Sequence, residues 1–373
     1  MKIVIFTHES NLSGANRSLI DYLQDNLNDK IHVVLARKNN EFEKKLQDLK
    51  VEYSIINQYF IVDQVKFNLK QKIKNVIKHI LNILNYKSVK KTFTKLSKES
   101  FDVVLSNSFT TLLGYKFSRI IKKPHFWHIR EFMEIDYGIK HPKRVKIADM
   151  CRNSHAIFIS NSIKNYYLSK FDFLSHTVIF NKISFDKKYI KEKMFLDNPI
   201  SILLVGSLHK GKGQLDAINA YKILKNKYDI KLTLCGDGPE FKNYKKYCVE
   251  NNLDVTFTGY INNVLEIRKN SDIALVCSQN EALGRVTIEA MYYENFVIGT
   301  RGGETPYLIK DYGLTYQYGR AEMLADCIDK VIKDREFFLG KIFKAKQYAI
   351  DNFSEPIYPK LRKHIINTLH FED

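Results

Sequence analysis

The sequence predicts an α/β protein made of two doubly wound parallel-sheet domains facing a cleft. Three observations carry that expectation. Apolar runs of strand length alternate with helical stretches from end to end, the pattern of parallel strands joined by crossover helices. A chain of 373 residues, 45% apolar and 27% charged, is long enough for two cores and too apolar for a disordered chain. A fresh series of strands begins at Ile200, after a lysine-rich stretch at 182–199 that lacks a long apolar run. We therefore expect domains at 1–185 and 186–355, and a helix at 356–373 that returns to the first domain.

In the first domain the predicted strands are 3–7, 32–36, 52–56, 103–106, 125–128, 157–160 and 177–180. The first of them, in MKIVIFTHES, runs straight into charge and reads as a strand, not a leader peptide. Residues 64–98 hold ten lysines and no acidic residue. Val65, Leu69, Ile73, Val76, Ile77, Ile80, Leu81 and Leu84 recur there at helical spacing, so a basic amphipathic helix is expected. Residues 1–195 hold 35 Lys+Arg against 18 Asp+Glu, whereas 196–373 hold 24 against 23. Nearly the whole excess of +18 therefore lies in the first half, which points to an anionic partner there, and an anionic membrane surface suits it. No apolar run approaches the roughly 20 residues that span a bilayer.

The second series comprises strands 200–206, 231–235, 254–257, 273–277 and 296–299, and the tail from 351 to 369 has helical spacing. The five cysteines are odd in number and scattered, as expected of small buried residues in a reducing compartment. Aromatics are not interleaved with basic residues on one strand or loop, which argues against a nucleic-acid binder.

Ligands of doubly wound sheets bind beyond the carboxyl ends of the strands, and the notable motifs fall there. After strand 273–277 comes NEALGRVTIEAM, with Glu281 in the loop, Gly284 at the turn and Glu289 in the following helix, expected at 286–293. Amides at that helix start suit an anion, and the carboxylates suit hydroxyls. After strand 200–206, GSLHKGKGQ places Lys210 and Lys212 among glycines, as an anion-binding loop requires. The turn CGDGPE carries Gly236, and Tyr260 and Ile261 follow strand 254–257, where backbone can lie along a base. In the first half, Gly14 and Arg17 open the first helix, and HIREF gathers His128, Arg130 and Glu131 at a strand end. Arg17 and Arg130 are candidates for an acceptor or phosphate. There is no Asp-x-Asp and no metal-spaced His/Asp cluster, so neither a metal nor any other cofactor is expected.

Taken together, Gly206…Lys212-Gly213, GDGP, the Glu-x7-Glu pair and Val297-Ile298…Gly302-Gly303 resemble the retaining glycosyltransferases of family 4, within glycosyl transferases group 1. The resemblance covers nearly the whole chain. It implies the two-domain GT-B fold, with Rossmann-like halves, and transfer from a nucleoside-diphosphate sugar to a glycan hydroxyl, as in capsule or lipopolysaccharide synthesis. It implies Glu281 and His128 near the transferred sugar and Glu289 on the ribose. It also implies Lys212 with the amides of Gly284, Arg285 and Val286 on the diphosphate, and Gly14 approaching the donor phosphates. A lipid-linked acceptor, met by a peripheral protein at the cytoplasmic face of the membrane, suits the basic first half. The chain departs from the family at Ser207, where an arginine is usual, at Asn181-Lys182, and at Glu304 directly after the glycine pair. An inactive relative and a sugar-nucleotide epimerase of the same fold are the competing readings.

Overall fold

The computed structural model describes residues 1–8, 14–25, 29–65, 69–186, 189–191 and 194–370. The chain divides into two compact units, one formed by 1–182 with 356–373 and the other by 183–355. Residues 9–13, ahead of Gly14, lie outside the described set, and Gly14 begins the helix Gly14–Gln24.

The first unit contains β1 (Lys2–Phe6), β2 (Lys30–Leu35), β3 (Glu52–Ile55), β4 (Asp63–Gln64), β5 (Val103–Ser106), β6 (His125–Ile129), β7 (Ile139–Lys140), β8 (His155–Phe158) and β9 (His176–Val178). Seven of these form one sheet in the order β3-β2-β1-β5-β6-β8-β9, and its pairings are parallel. β4 and β7 make a separate antiparallel pair. Strands β1, β5 and β6 are buried along their whole length apart from Lys2, as a sheet covered on both faces demands. Chain order reverses between β1 and β5, which places a switch point there.

The terminal helix Ile357–Leu369 completes this unit. Ile357, Leu361 and Ile365 are buried with Leu19, Leu23 and Ile31, each contributing about 1.5–3 kcal/mol by removal from water. Tyr358 and Arg362 both reach Asp29, which also holds the amino terminus at 2.6 Å.

The second unit contains β10 (Ile200–Val205), β11 (Ile230–Cys235), β12 (Val255–Gly259), β13 (Ile273–Val276), β14 (Phe296–Thr300) and β15 (Leu314–Tyr316). They form a parallel sheet in the order β12-β11-β10-β13-β14-β15, with the switch point between β10 and β13. The core beneath it gathers Ile202, Leu204, Leu234, Ile273, Leu275 and Ile298 with helix residues such as Ile218 and Leu324. β15 is too short to stand out in the sequence, but its Tyr316 is fully buried and bonds Asp216 at 3.0 Å.

Candidate functional site

In the second unit the two strands that flank the switch point each deliver a loop, 206–213 after β10 and 277–284 after β13. Glycines let these loops touch. A Cβ on Gly213, at φ +66°, would stand 2.1 Å from the Cys277 carbonyl oxygen, so only glycine fits. The Gln279 amide donates to the Gly211 carbonyl at 2.9 Å. Across this seam Lys212 pairs with Glu281, both largely shielded from solvent. The loop 301–304 supports Glu281 from beneath. A Cβ on Gly302 would meet the Gln279 carbonyl oxygen at 1.9 Å, and one on Gly303 would meet the Glu281 amide nitrogen at 2.3 Å. The Glu304 amide then donates to the Glu281 carbonyl at 2.8 Å. The glycine pair thus acts by positioning a carboxylate.

Gly284 adopts φ +75° and directly precedes the helix Arg285–Tyr292, one residue earlier than the predicted start. No side chain caps this helix and no acidic residue stands in its first turn, so its leading amides remain for an anion. Arg285 is exposed beside them and Val286 half-buried. One turn on, Glu289 accepts from Arg268 Nη2 at 3.1 Å, with the carboxylate side chain still 34% exposed. Arg268 is 2% exposed, and burial lowers its pKa from the ordinary arginine value against the opposing pull of Glu289. Nothing in the sequence marks this arginine, which sits in a short charged helix.

The other predicted residues of this unit fall around the same seam. Lys210 is exposed, and its carbonyl accepts from the Tyr318 hydroxyl at 2.8 Å. Ser207 is exposed, and its carbonyl accepts from Gln214 at 3.0 Å. Gly236 has an internal reason to be glycine, since a Cβ at its φ of +146° would stand 2.1 Å from the Gly206 carbonyl oxygen. The GDGP turn is a platform under loop 206–213, held by Leu208 N–H to Asp237 C=O at 3.0 Å and by Glu240 N–H to Leu208 C=O at 3.0 Å. Tyr260 is 78% exposed just beyond β12, with Ile261 half-buried beside it.

In the first unit the end of β6 carries a buried polar cluster. Arg130 donates from Nε to Asn107 at 3.0 Å, from Nη1 to Asn181 at 2.9 Å and from Nη2 to His128 Nδ1 at 3.0 Å. Glu131 accepts from Ser108 Oγ at 2.5 Å, from the Phe109 amide at 3.2 Å and from the Arg130 amide at 3.2 Å. Arg130 is 8% exposed and its nitrogens engage three neighbours, so it braces the ends of β5 and β6. The brace sets up His128. An Nδ1 that accepts from Arg130 requires the neutral ring with the proton on Nε2, and burial followed by the Arg130 charge drives its pKa well below the usual histidine value. Among the described residues Nε2 has no partner, leaving a buried N–H donor. Asn107 was missed by sequence reading, since a single asparagine carries no pattern, and Asn181 was noted only as a departure from the family, with no role. Arg17 is exposed on the helix Gly14–Gln24.

Among the described residues one group has metal-ligand spacing, His32, Glu52 and Glu99, at a distance in sequence from all of these motifs. Both ring nitrogens of His32 are engaged, Nδ1 with Glu52 at 3.4 Å and Nε2 with Ser54 at 2.9 Å.

Comparison with known proteins bears on this arrangement. Residues 186–348 match the family described as Glycosyl transferases group 1. The N-acetyl-alpha-D-glucosaminyl L-malate synthase of Bacillus anthracis is 29% identical over 188 residues, 49% of this chain and 49% of that relative. The chain thus spans about half the length of that relative. An uncharacterized glycosyltransferase of Methanocaldococcus jannaschii is 27% identical over 77% of this chain and 81% of its own length. Among solved structures, Anabaena HepE in complex with UDP superposes with a TM-score of 0.73 at 17% identity, covering 99% of this chain and 100% of that one. At such identity the likeness speaks for the fold, and that fold is GT-B.

Proposed function

We propose, from the match of residues 186–348 to glycosyl transferases group 1 and from the GT-B fold, that the protein transfers a sugar from a nucleoside-diphosphate donor to a glycan hydroxyl, with retention at the anomeric carbon. The observation that carries the reading is the seam of the second unit, where Lys212, Glu281, the open helix start at Gly284 and Glu289 converge at a switch point. A diphosphate lies against Lys212 and the amides of Arg285 and Val286, with Lys210 and Arg285 supplying the charge that an arginine at Ser207 would have carried. Glu289, held by Arg268, accepts from the ribose hydroxyls. Glu281 faces the transferred sugar, and Tyr260 and Ile261 line the base. Positive charge and oriented amides stabilise the leaving diphosphate as the glycosidic bond breaks, without a metal. The acceptor attacks from the face the diphosphate leaves, and a diphosphate oxygen takes its proton. His128 offers its Nε2–H to a substrate hydroxyl from the first unit.

The acceptor in this reading is lipid-linked and is met at an anionic membrane surface. The helix Leu69–Leu84 supports that. Its polar side chains clamp the preceding segment, Asn75 to the Val62 carbonyl at 2.5 Å, Lys78 to Phe60 at 3.0 Å and Asn82 to Tyr59 at 2.8 Å. Its apolar side faces outward instead, with Ile73, Val76, Ile77, Ile80 and Leu84 all more than half exposed among lysines. An aliphatic ridge flanked by cations fits a lipid interface, where burial of the ridge adds to attraction by anionic headgroups. No described helix is long and apolar enough to cross a membrane.

The reading is tested by incubating the protein with labelled UDP- and GDP-sugars and a cell-derived glycolipid fraction. Label is expected in the organic-extractable product, with the donor's anomeric configuration kept and transfer lost in Lys212→Ala. An inverted product, or sugar rearranged without any acceptor, contradicts it.

A further inference from the structure

The first unit contains a cavity of about 970 Å³ that the donor chemistry does not use. Its floor is the switch point of the sheet, where Thr7 and His8 follow β1 and Thr110 and Thr111 follow β5. One part of its wall is apolar, with Phe60, Ile61, Ile83, Val89, Phe93 and Ile120. Ile83 and Ile120 are 61% and 57% exposed as well, so the mouth lies where they stand, and Ile83 belongs to the helix with the outward aliphatic ridge. Among the described residues, the charged ones that line the cavity are Lys90, Lys116 and Arg144, with no carboxylate. A ligand with a negative charge is favoured there on simple Coulombic grounds.

The anion end can be placed more narrowly. The ten-residue helix Leu112–Ile121 starts in the cavity wall with Leu112 and Leu113, carries no acidic residue in its first turn and has no side-chain cap. Its leading amides point a partial positive charge into the cavity. Thr111, the residue at the cap position, is 6% exposed, and its hydroxyl has no partner among the described residues although it is buried. A buried hydroxyl left unpaired is costly, and a ligand oxygen bonded to it would remove that cost. Lys116 stands one turn further along the same helix.

We propose that this cavity is the binding site for the lipid-phosphate part of the acceptor. The phosphate sits at Thr111 and the helix start among Lys116, Arg144 and Lys90, and the hydrocarbon chain runs along Phe60, Ile61, Phe93 and Ile120 toward the ridge. The proposal deepens, and rests on, the lipid-linked reading of the acceptor given above. An inorganic anion alone leaves the apolar wall unexplained, and a neutral chain leaves the cations and Thr111 unexplained.

The test is titration calorimetry on the full chain with decyl phosphate below its micelle concentration, with decanol, with inorganic phosphate and with short-chain phosphatidylglycerol. Emission from Trp127, the single tryptophan, gives a second readout, because its indole N–H donates to the Thr111 carbonyl at 3.4 Å. Decyl phosphate is expected to bind saturably and at least tenfold more tightly than each of the other three. The doubly charge-reversed variant Lys116→Glu/Arg144→Glu, both exposed positions, should weaken it at least tenfold with an unchanged melting temperature. Equal binding of decanol or of phosphate, tighter binding of the two-chain phosphatidylglycerol, or indifference to charge reversal overturns the proposal. Decyl phosphate binding without binding of any nucleotide sugar leaves this site standing and removes the transferase reading instead.

Discussion

A diphosphate that enters the seam of the second unit meets a lysine paired with a carboxylate, Lys212 with Glu281. The two side chains must part before the lysine can face phosphate and the carboxylate can face sugar. Removing the carboxylate's charge therefore acts in opposite directions on binding and turnover. We expect Glu281→Gln to bind UDP as tightly as the parent or a few-fold tighter, with transfer reduced by two orders of magnitude or more, as titration and rate measurements on the same sample will show. UDP affinity that falls tenfold would mean Glu281 supports the nucleotide and not the sugar. At this scale the sequence was legible where residues come in spaced groups, as Glu281 and Glu289 do. Arg268, Asn107 and the role of Asn181 were not legible, because each acts through a contact made only on folding. Arg130 shows a related limit: a charge at a strand end does not announce the three buried partners it bonds.

The elements repeat that lesson in two ways. Parallel strands buried on both faces announce themselves as unbroken apolar runs, so β1, β5, β10 and β13 were predicted to within two residues at either end. β15 and the β4–β7 pair, of three and two residues, fall below what a run can signal. The helix Leu69–Leu84 shows a different limit. Its amphipathicity was plain in the sequence, but the orientation was not, because periodicity cannot say which face turns inward. Here the asparagines and Lys78 turn in, toward the carbonyls of 59–62, and the isoleucines turn out. Ile77→Asp/Ile80→Asp, at positions 52% exposed, should leave the melting temperature within about 1 °C while abolishing sedimentation with anionic vesicles at low salt. Retained sedimentation would shift the membrane contact away from this ridge.

Over the whole molecule, charge and titration are unevenly shared between the units. Of the 11 histidines all but His209 lie in the first unit. Burial lowers the pKa of His125 to about 3 and of His141 to about 4, and drives His128 well below the ordinary value. These groups stay neutral when folded and gain a proton when unfolded below about pH 6.5, so the unfolded state binds more protons there. The stability tied to their neutral forms is intact above about pH 6.5 and is lost as pH falls toward their folded values. At pH 5, His125 and His141 should each remove about 2 kcal/mol. Calorimetry between pH 7.5 and 5 should show the transition of the first unit moving down more than that of the second. Equal shifts would contradict the burial of these rings.

In the proposed function the seam at β10 and β13 holds a nucleoside-diphosphate sugar with Glu289 on the ribose. Titrating a panel of UDP- and GDP-sugars into the parent protein and into Glu289→Ala tests it most directly. One base class is expected to bind at micromolar concentration, and Glu289→Ala to lose at least tenfold in affinity for it while keeping its fold. Full affinity in Glu289→Ala, or binding of neither class, would contradict it.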